Sequence, residues 1–138
     1  MKLRVTILSG LLGLISYTTS AQCDDVASWC TDNLSEEFIS DGQTYRALLY
    51  NDQIAEFKLT LFGGTTYRVA ACSGEENSNL LFRIFDEEKN ELFSNTDFAN
   101  APYWDFVVDS TIDCKLEAQL DLNKKESGCA VILIGFKE

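Results

Sequence analysis

Ile112-Asp113-Cys114-Lys115-Leu116-Glu117-Ala118-Gln119 alternates apolar and polar residues without a break, so Ile112, Cys114, Leu116 and Ala118 point one way and Asp113, Lys115, Glu117 and Gln119 the other. A period of two is that of a β-strand with one dry and one wet face. The same period recurs outward from it. Phe57, Leu59 and Leu61 alternate with Glu56, Lys58 and Thr60 up to a tight turn at Gly63-Gly64, and Tyr67, Val69 and Ala71 resume the pattern. Leu80, Phe82 and Ile84 form the next inward set, the polar turn Asp86 to Asn90 leads to a short return through Leu92 and Phe93, and Trp104, Phe106 and Val108 follow. Cys129 to Phe136 is apolar on both faces, as a central strand covered on both sides must be. With Tyr45 to Tyr50 this makes about eight short strands separated by turn signals, with no helix between them. The pattern predicts an all-β chain, an antiparallel, jelly-roll-like β-sandwich, in preference to a parallel α/β fold or a closed barrel. Pro102, the single proline, falls in a loop before Trp104 where it disturbs no ladder.

Ahead of the strands, Asp24-Asp25 is placed to cap a short helix running to about Leu34, with Val26, Trp29, Cys30 and Asn33 or Leu34 on one face. Ser35 to Gly42 reads as a connector. The first 21 residues have the form of a secretory leader: Lys2 and Arg4 at the start, an apolar stretch from Leu3 to Ile15, and a small-residue cleavage site at Thr19-Ser20-Ala21. The expected division is therefore 1–21 leader, 22–42 helix and connector, and 43–138 sandwich. No later apolar run approaches the roughly 20 residues that span a bilayer, so the expected product is exported (periplasmic or extracellular) and soluble. Lipid attachment at Cys23 is disfavoured by Gln22, where that processing wants a small side chain.

The chain has 22 acidic and 11 basic residues, a formal charge of −11, and two of the basic residues belong to the leader. Such an excess repels phosphate backbones and anionic membrane faces, which excludes nucleic acid as a partner. There is no histidine, so Ser-His-Asp and Cys-His nucleophile systems are absent, as are most zinc sites. An enzyme would have to use a glycosidase-type pair of carboxylates in one concave pocket. Acidic loops also suggest calcium. Asp86, Glu88 and Asn90 are the candidate ligands, with further oxygen-rich stretches at Glu75-Glu76-Asn77 and at Asp105, Asp109 and Asp113, though none has the spacing of an EF-hand loop. No other cofactor is expected.

Five cysteines, Cys23, Cys30, Cys72, Cys114 and Cys129, imply disulfides in an oxidising compartment and at least one unpaired thiol. A Cys72–Cys114 bridge is the first expectation, because both residues fall on strands and the loop closed is long. Cys23 and Cys30 on one helix stand about 10 Å apart, too far to pair with each other. Among the aromatics, Tyr45, Tyr50, Tyr103 and Trp104 could stack on sugar rings, while Phe62, Phe85 and Phe93 lie off the inward register, to form an exposed partner surface or to be covered by a second sheet.

Gly63-Gly64-Thr65-Thr66-Tyr67-Arg68-Val69-Ala70-Ala71-Cys72, followed by Leu80-Leu81-Phe82-Arg83-Ile84-Phe85-Asp86 and the turn to Leu92-Phe93, resembles the pre-peptidase C-terminal (PPC-like) type of β-sandwich. The closing stretch Gly128 to Lys137, with the Ala21-Gln22 junction, also looks like small secreted proteins of Bacteroidota. The resemblance implies a non-catalytic accessory or binding module. Taken together, the expected function is an exported binding or interaction module with a protein or carbohydrate partner. The alternatives are a small carboxylate-dependent hydrolase and a structural subunit of an envelope assembly.

Overall fold

The computed structural model describes residues 19–74, 80–123 and 127–137. Residues 1–18 of the expected leader, the Glu75-Glu76-Asn77 stretch and Lys124-Lys125 lie outside the described residues. The described chain runs α1 (Thr19–Cys30), β1 (Ile39–Tyr50), β2 (Ala55–Leu61), β3 (Thr65–Cys72), β4 (Leu80–Asp86), β5 (Glu91–Ser94), β6 (Tyr103–Val108), β7 (Ile112–Leu120) and β8 (Ser127–Lys137). Two four-stranded sheets result, ordered β1-β8-β3-β6 and β2-β7-β4-β5. Every ladder is antiparallel. First pairs with last, second with seventh, third with sixth and fourth with fifth. The chain is thus one long hairpin folded over on itself, which is the jelly-roll arrangement.

The period-two pattern fixes the core. Leu59 and Leu61 of β2, Tyr67, Val69 and Ala71 of β3, Phe82 and Ile84 of β4, Leu116 and Ala118 of β7, and Ile132 and Ile134 of β8 are all buried between the sheets. Leu116 and Phe82 lose all their exposure, and truncating a phenylalanine so placed typically costs about 3–5 kcal/mol. The opposite face of β3 and β8 is apolar too, because α1 lies on it. Val26, Ala27, Cys30 and Leu34 pack there against Ala70, Cys72, Val131 and Leu133. This explains why Cys129 to Phe136 carries no polar face.

The helix begins before Asp24, so Asp24 is not its cap; that side chain instead pairs with Arg46 of β1. β1 starts at Ile39, inside the stretch read as connector, because pairing with Phe136 and Gly135 begins there before a register break between Ser40 and Thr44. Gly63-Gly64 joins strands of different sheets, so it is a corner between layers and not a hairpin turn. Phe93, off the inward register in the sequence, is buried. Its ring lies within 5.6 Å of those of Phe82, Phe98, Trp104 and Phe106, because the register break in the β4–β5 hairpin turns its side chain inward.

The expected Cys72–Cys114 bridge is not formed. Cys23 bonds to Cys129 and Cys30 to Cys72, with Cα–Cα distances of 5.4 and 5.9 Å, and Cys114 is the free, buried thiol. Parity is the reason. On β3 the residues facing the core are Tyr67, Val69 and Ala71, so Cys72 faces α1, whereas Cys114 shares the inner face with Leu116 and Ala118 in the other sheet. Cys72 stands opposite Val131, two residues from Cys129, which sets the two strand cysteines roughly 8 Å apart. Seven helical residues advance about 10 Å, so Cys23 and Cys30 match that spacing and clasp the last two turns of α1.

Candidate functional site

An opening lined by inward-facing residues of both sheets lies where edge strand β1 meets edge strand β2. Its volume is about 500 Å³, with Leu59, Leu61, Tyr67, Ile134 and Phe136 among its walls. The β1 irregularity makes the rim. Four residues advance on β1, from Ser40 to Thr44, while only two advance on β8, from Gly135 to Leu133. The surplus residues bulge out, with Gly42 at φ +83° in the left-handed region and the Gln43 N–H donating 2.9 Å to Asp41 Oδ1. Bulges re-aim side chains, and this one sets Asp41 and Gln43 at the mouth beside Tyr45. Burial and the nearby Asp41 carboxylate push the Tyr45 hydroxyl above its ordinary ionisation range.

Phe62 forms the facing lip and is 59% exposed. Its corner is held on all sides. The Phe62 N–H donates to the Tyr67 hydroxyl at 3.0 Å, the Gly63 N–H to Thr111 Oγ1 at 3.0 Å, and the Gly64 N–H to the Val108 carbonyl at 2.7 Å. A Cβ on Gly63 would stand 2.7 Å from the Asp109 carbonyl oxygen, so only glycine lets the 62–64 and 109–111 turns close on one another. Phe62 is therefore an exposed ring on a fixed turn. A second depression of about 550 Å³ adjoins the first over β2, sharing Lys58, Leu59 and Thr60 with it and reaching Glu87 and Lys89. At this end of the sandwich Glu36, Asp41, Glu87, Glu88 and Asp109 are exposed.

The remaining candidate residues are distributed differently. Asp86 closes the β4–β5 turn: its two carboxylate oxygens accept from the Asn90 backbone and side chain at 2.8 and 3.0 Å. Those bonds, the side-chain one first, hold its ionisation below the usual carboxylate range. Glu88 and Asn90 belong to the same turn, so hairpin closure accounts for this acid-rich segment. Asp105 grips Arg68 and Asp113 accepts from Thr60 at 2.6 Å. Among the described residues no three cysteine, aspartate or glutamate side chains gather as a metal would require. The cleft has one carboxylate in its lining, Asp41; the adjoining depression has Asp86, Glu87 and Asp113, of which Asp86 is engaged by Asn90 and Asp113 by Thr60. A smaller groove of about 250 Å³ at the other end includes Glu91, Asp97 and Glu117, but Glu117 is engaged by Arg83 and Lys115 at 3.1 Å each.

Nor do the aromatics form one platform. Tyr45 lines the cleft, Tyr50 is exposed at the opposite end, Tyr103 lies under Arg68, and Trp104 packs on Phe93 and Phe98. Phe85 is half-buried, covered by Arg83 and Lys115. Asp41-Gly42 ahead of an alternating run is the sequence signal that marks the bulge at Asp41 to Gln43. Cys23, bonded to Cys129, has no thiol to offer a lipid. Among the described residues no helix is long and apolar enough to cross a membrane.

Among solved structures, the chain is similar in fold to PliG of Aeromonas hydrophila, a periplasmic lysozyme inhibitor of g-type lysozyme. The TM-score is 0.53 at 12% identity, over 75% of this chain and 90% of that one. No family model matches the sequence, and no curated protein matches it.

Proposed function

We propose that this chain is an exported, non-catalytic module that binds a cationic protein, with a secreted cell-wall hydrolase of the lysozyme kind as the partner class. The observation that carries the reading is the charge: 22 acids against 11 bases, with carboxylates left exposed around an open, largely apolar cleft. Charge complementarity of this kind steers a basic partner and sets its association rate. Two disulfides suit an oxidising compartment outside the cytosol, and the shared fold with a periplasmic inhibitor supports both the export and the choice of partner. An accessory role of the PPC-like kind belongs to the same proposal.

The test is binding of the purified chain to a cationic g-type lysozyme, followed by surface plasmon resonance at 50 and 300 mM salt, with cell-wall lysis assayed in parallel. Saturable binding whose association rate falls several-fold at the higher salt is expected, together with slowed lysis. No binding at 50 mM salt overturns this choice of partner. A chain that itself releases reducing sugar from cell wall overturns the non-catalytic reading.

A further inference from the structure

We propose that the end of the sandwich carrying Phe62 is the face that docks on the cationic partner, with Phe62 as the apolar anchor and the two depressions beside β2 as the surface around it. The inference rests on the reading above and goes further by assigning the docking face.

Three observations place it there. Phe62 is an aromatic ring exposed on a corner that hydrogen bonds from Phe62, Gly63 and Gly64 hold rigid, so little conformational freedom is lost when a partner covers it. Exposed aromatic anchors of this kind dominate interface energetics. The depressions on either side, about 500 and 550 Å³, share Lys58, Leu59 and Thr60 and so form one continuous relief. Around them stand the exposed carboxylates of Asp41, Glu87, Glu88 and Asp109, the sign that a basic surface needs.

The opposite end is a weaker host. Ile54 and Leu122 are exposed there, with a depression of about 480 Å³ over Ala101 to Asp105 and a groove of about 250 Å³ beside Ile54, but the Arg68 guanidinium covers the Tyr103 ring in the first and the Arg83–Glu117 ion pair at 3.1 Å lies in the wall of the second. Lys58 and the exposed Lys89 on the proposed face oppose a cationic partner. Lys58, shared by both depressions, has no ion-pair partner among the described residues, and its removal is predicted to tighten binding.

The test uses the full mature chain with the same cationic g-type lysozyme as probe. Phe62→Ala, at an exposed position, is expected to raise the dissociation rate at least tenfold with an unchanged circular dichroism spectrum. The joint neutralisation Asp41→Asn, Glu87→Gln and Glu88→Gln, which keeps the Asp41 acceptor for Gln43, is expected to slow association several-fold at low salt and to flatten its salt dependence. Lys58→Ala is expected to speed association. If Phe62→Ala stays within twofold of wild type while Ile54→Ala or Leu122→Ala weakens binding tenfold, the docking face is wrong and the partner reading stands. If the wild type does not bind the probe, both fall together. Self-association of the wild type that Phe62→Ala abolishes would assign the face to a second copy of the chain, against the proposal.

Discussion

Arg68 and Asp105 stand opposite one another across β3 and β6, and the guanidinium grips the carboxylate at two points, Nε to Oδ1 at 2.7 Å and Nη2 to Oδ2 at 3.0 Å. The same guanidinium lies between two rings, 4.5 Å from the centroid of Phe38 and 4.3 Å from that of Tyr103, and its Nη1 donates to the Asn33 carbonyl at 3.2 Å. One side chain therefore ties the segment after α1 to the edge of a sheet. The hydrogen bond from Arg68 to Asp105 holds the guanidinium's ionisation above its usual range.

Arg68→Lys is expected to lose the two-point grip and the planar stacking while keeping the charge. A destabilisation of about 1–3 kcal/mol follows, since hydrogen bonds to charged groups and cation–π contacts are each worth about that order. Urea unfolding of the variant measures it. A midpoint unchanged from wild type would show that the grip is ornamental.

Asn95 is fully buried and brackets the loop before β6. Its Oδ1 accepts from the Phe82 N–H at 2.9 Å, and its Nδ2 donates to the carbonyls of Leu80 and Ala101 at 3.0 and 3.1 Å. Asn95→Ala strands these groups without partners and is expected to cost about 2–4 kcal/mol, each unsatisfied buried group costing about 1–3. Asn95→Asp should be no better, because a carboxylate cannot donate to two carbonyls. Thermal melts of both variants decide the point, and an aspartate variant as stable as wild type would count against the bracket.

The disulfides close loops of 106 and 42 residues, for which chain entropy alone contributes about 4–5 kcal/mol each. Reduction is expected to lower the melting temperature by well over 10 °C and to free α1, exposing the apolar face made by Ala70, Val131 and Leu133 to a hydrophobic dye. Counting thiols in denaturant without reductant should give one per chain, and with reductant five. Two or more without reductant would contradict this pairing.

Cys114 sits inside the sandwich, where burial first and Asp113 second push its thiol from an ordinary 9.0 up to about 11. A raised folded-state value means that the unfolded chain ionises first. The contribution is thus complete below about pH 9 and is lost as pH rises through about 11, an effect on the order of 2 kcal/mol. Tyr45, shifted in the same direction, adds to the slope. Cys114→Ala is expected to show a shallower fall in stability between pH 9 and 11 than wild type. Parallel curves for the two proteins would rule Cys114 out as the source.

Much of this was legible in the chain. The alternation in Phe57 to Leu61, Tyr67 to Ala71 and Ile112 to Ala118 names the inner face residue by residue, because strand geometry sends neighbours to opposite sides. Parity even held the key to the cysteines: Cys72 and Cys129 follow the outward register, whereas Cys114 follows the inward one. Phe62 could be recognised as lying off the inward register for the same reason. The cleft could not be read, because it depends on two surplus residues in β1 that shift a register only visible against β8.

The sequence by itself determined which residues the regularly alternating strands bury, that the fold is all-β and antiparallel, and that the chain is acidic, since these follow from periodicity and composition, which are local; Phe93 in the irregular β5 escaped it. Only the tertiary structure decided that first pairs with last in the jelly-roll order, that Cys23 reaches Cys129 and Cys30 reaches Cys72, and that Asp41 and Phe62 face each other across one opening. Those relations join residues far apart in the chain. Each is set by how two sheets and a helix pack, and a period of two carries no information about which strands become neighbours.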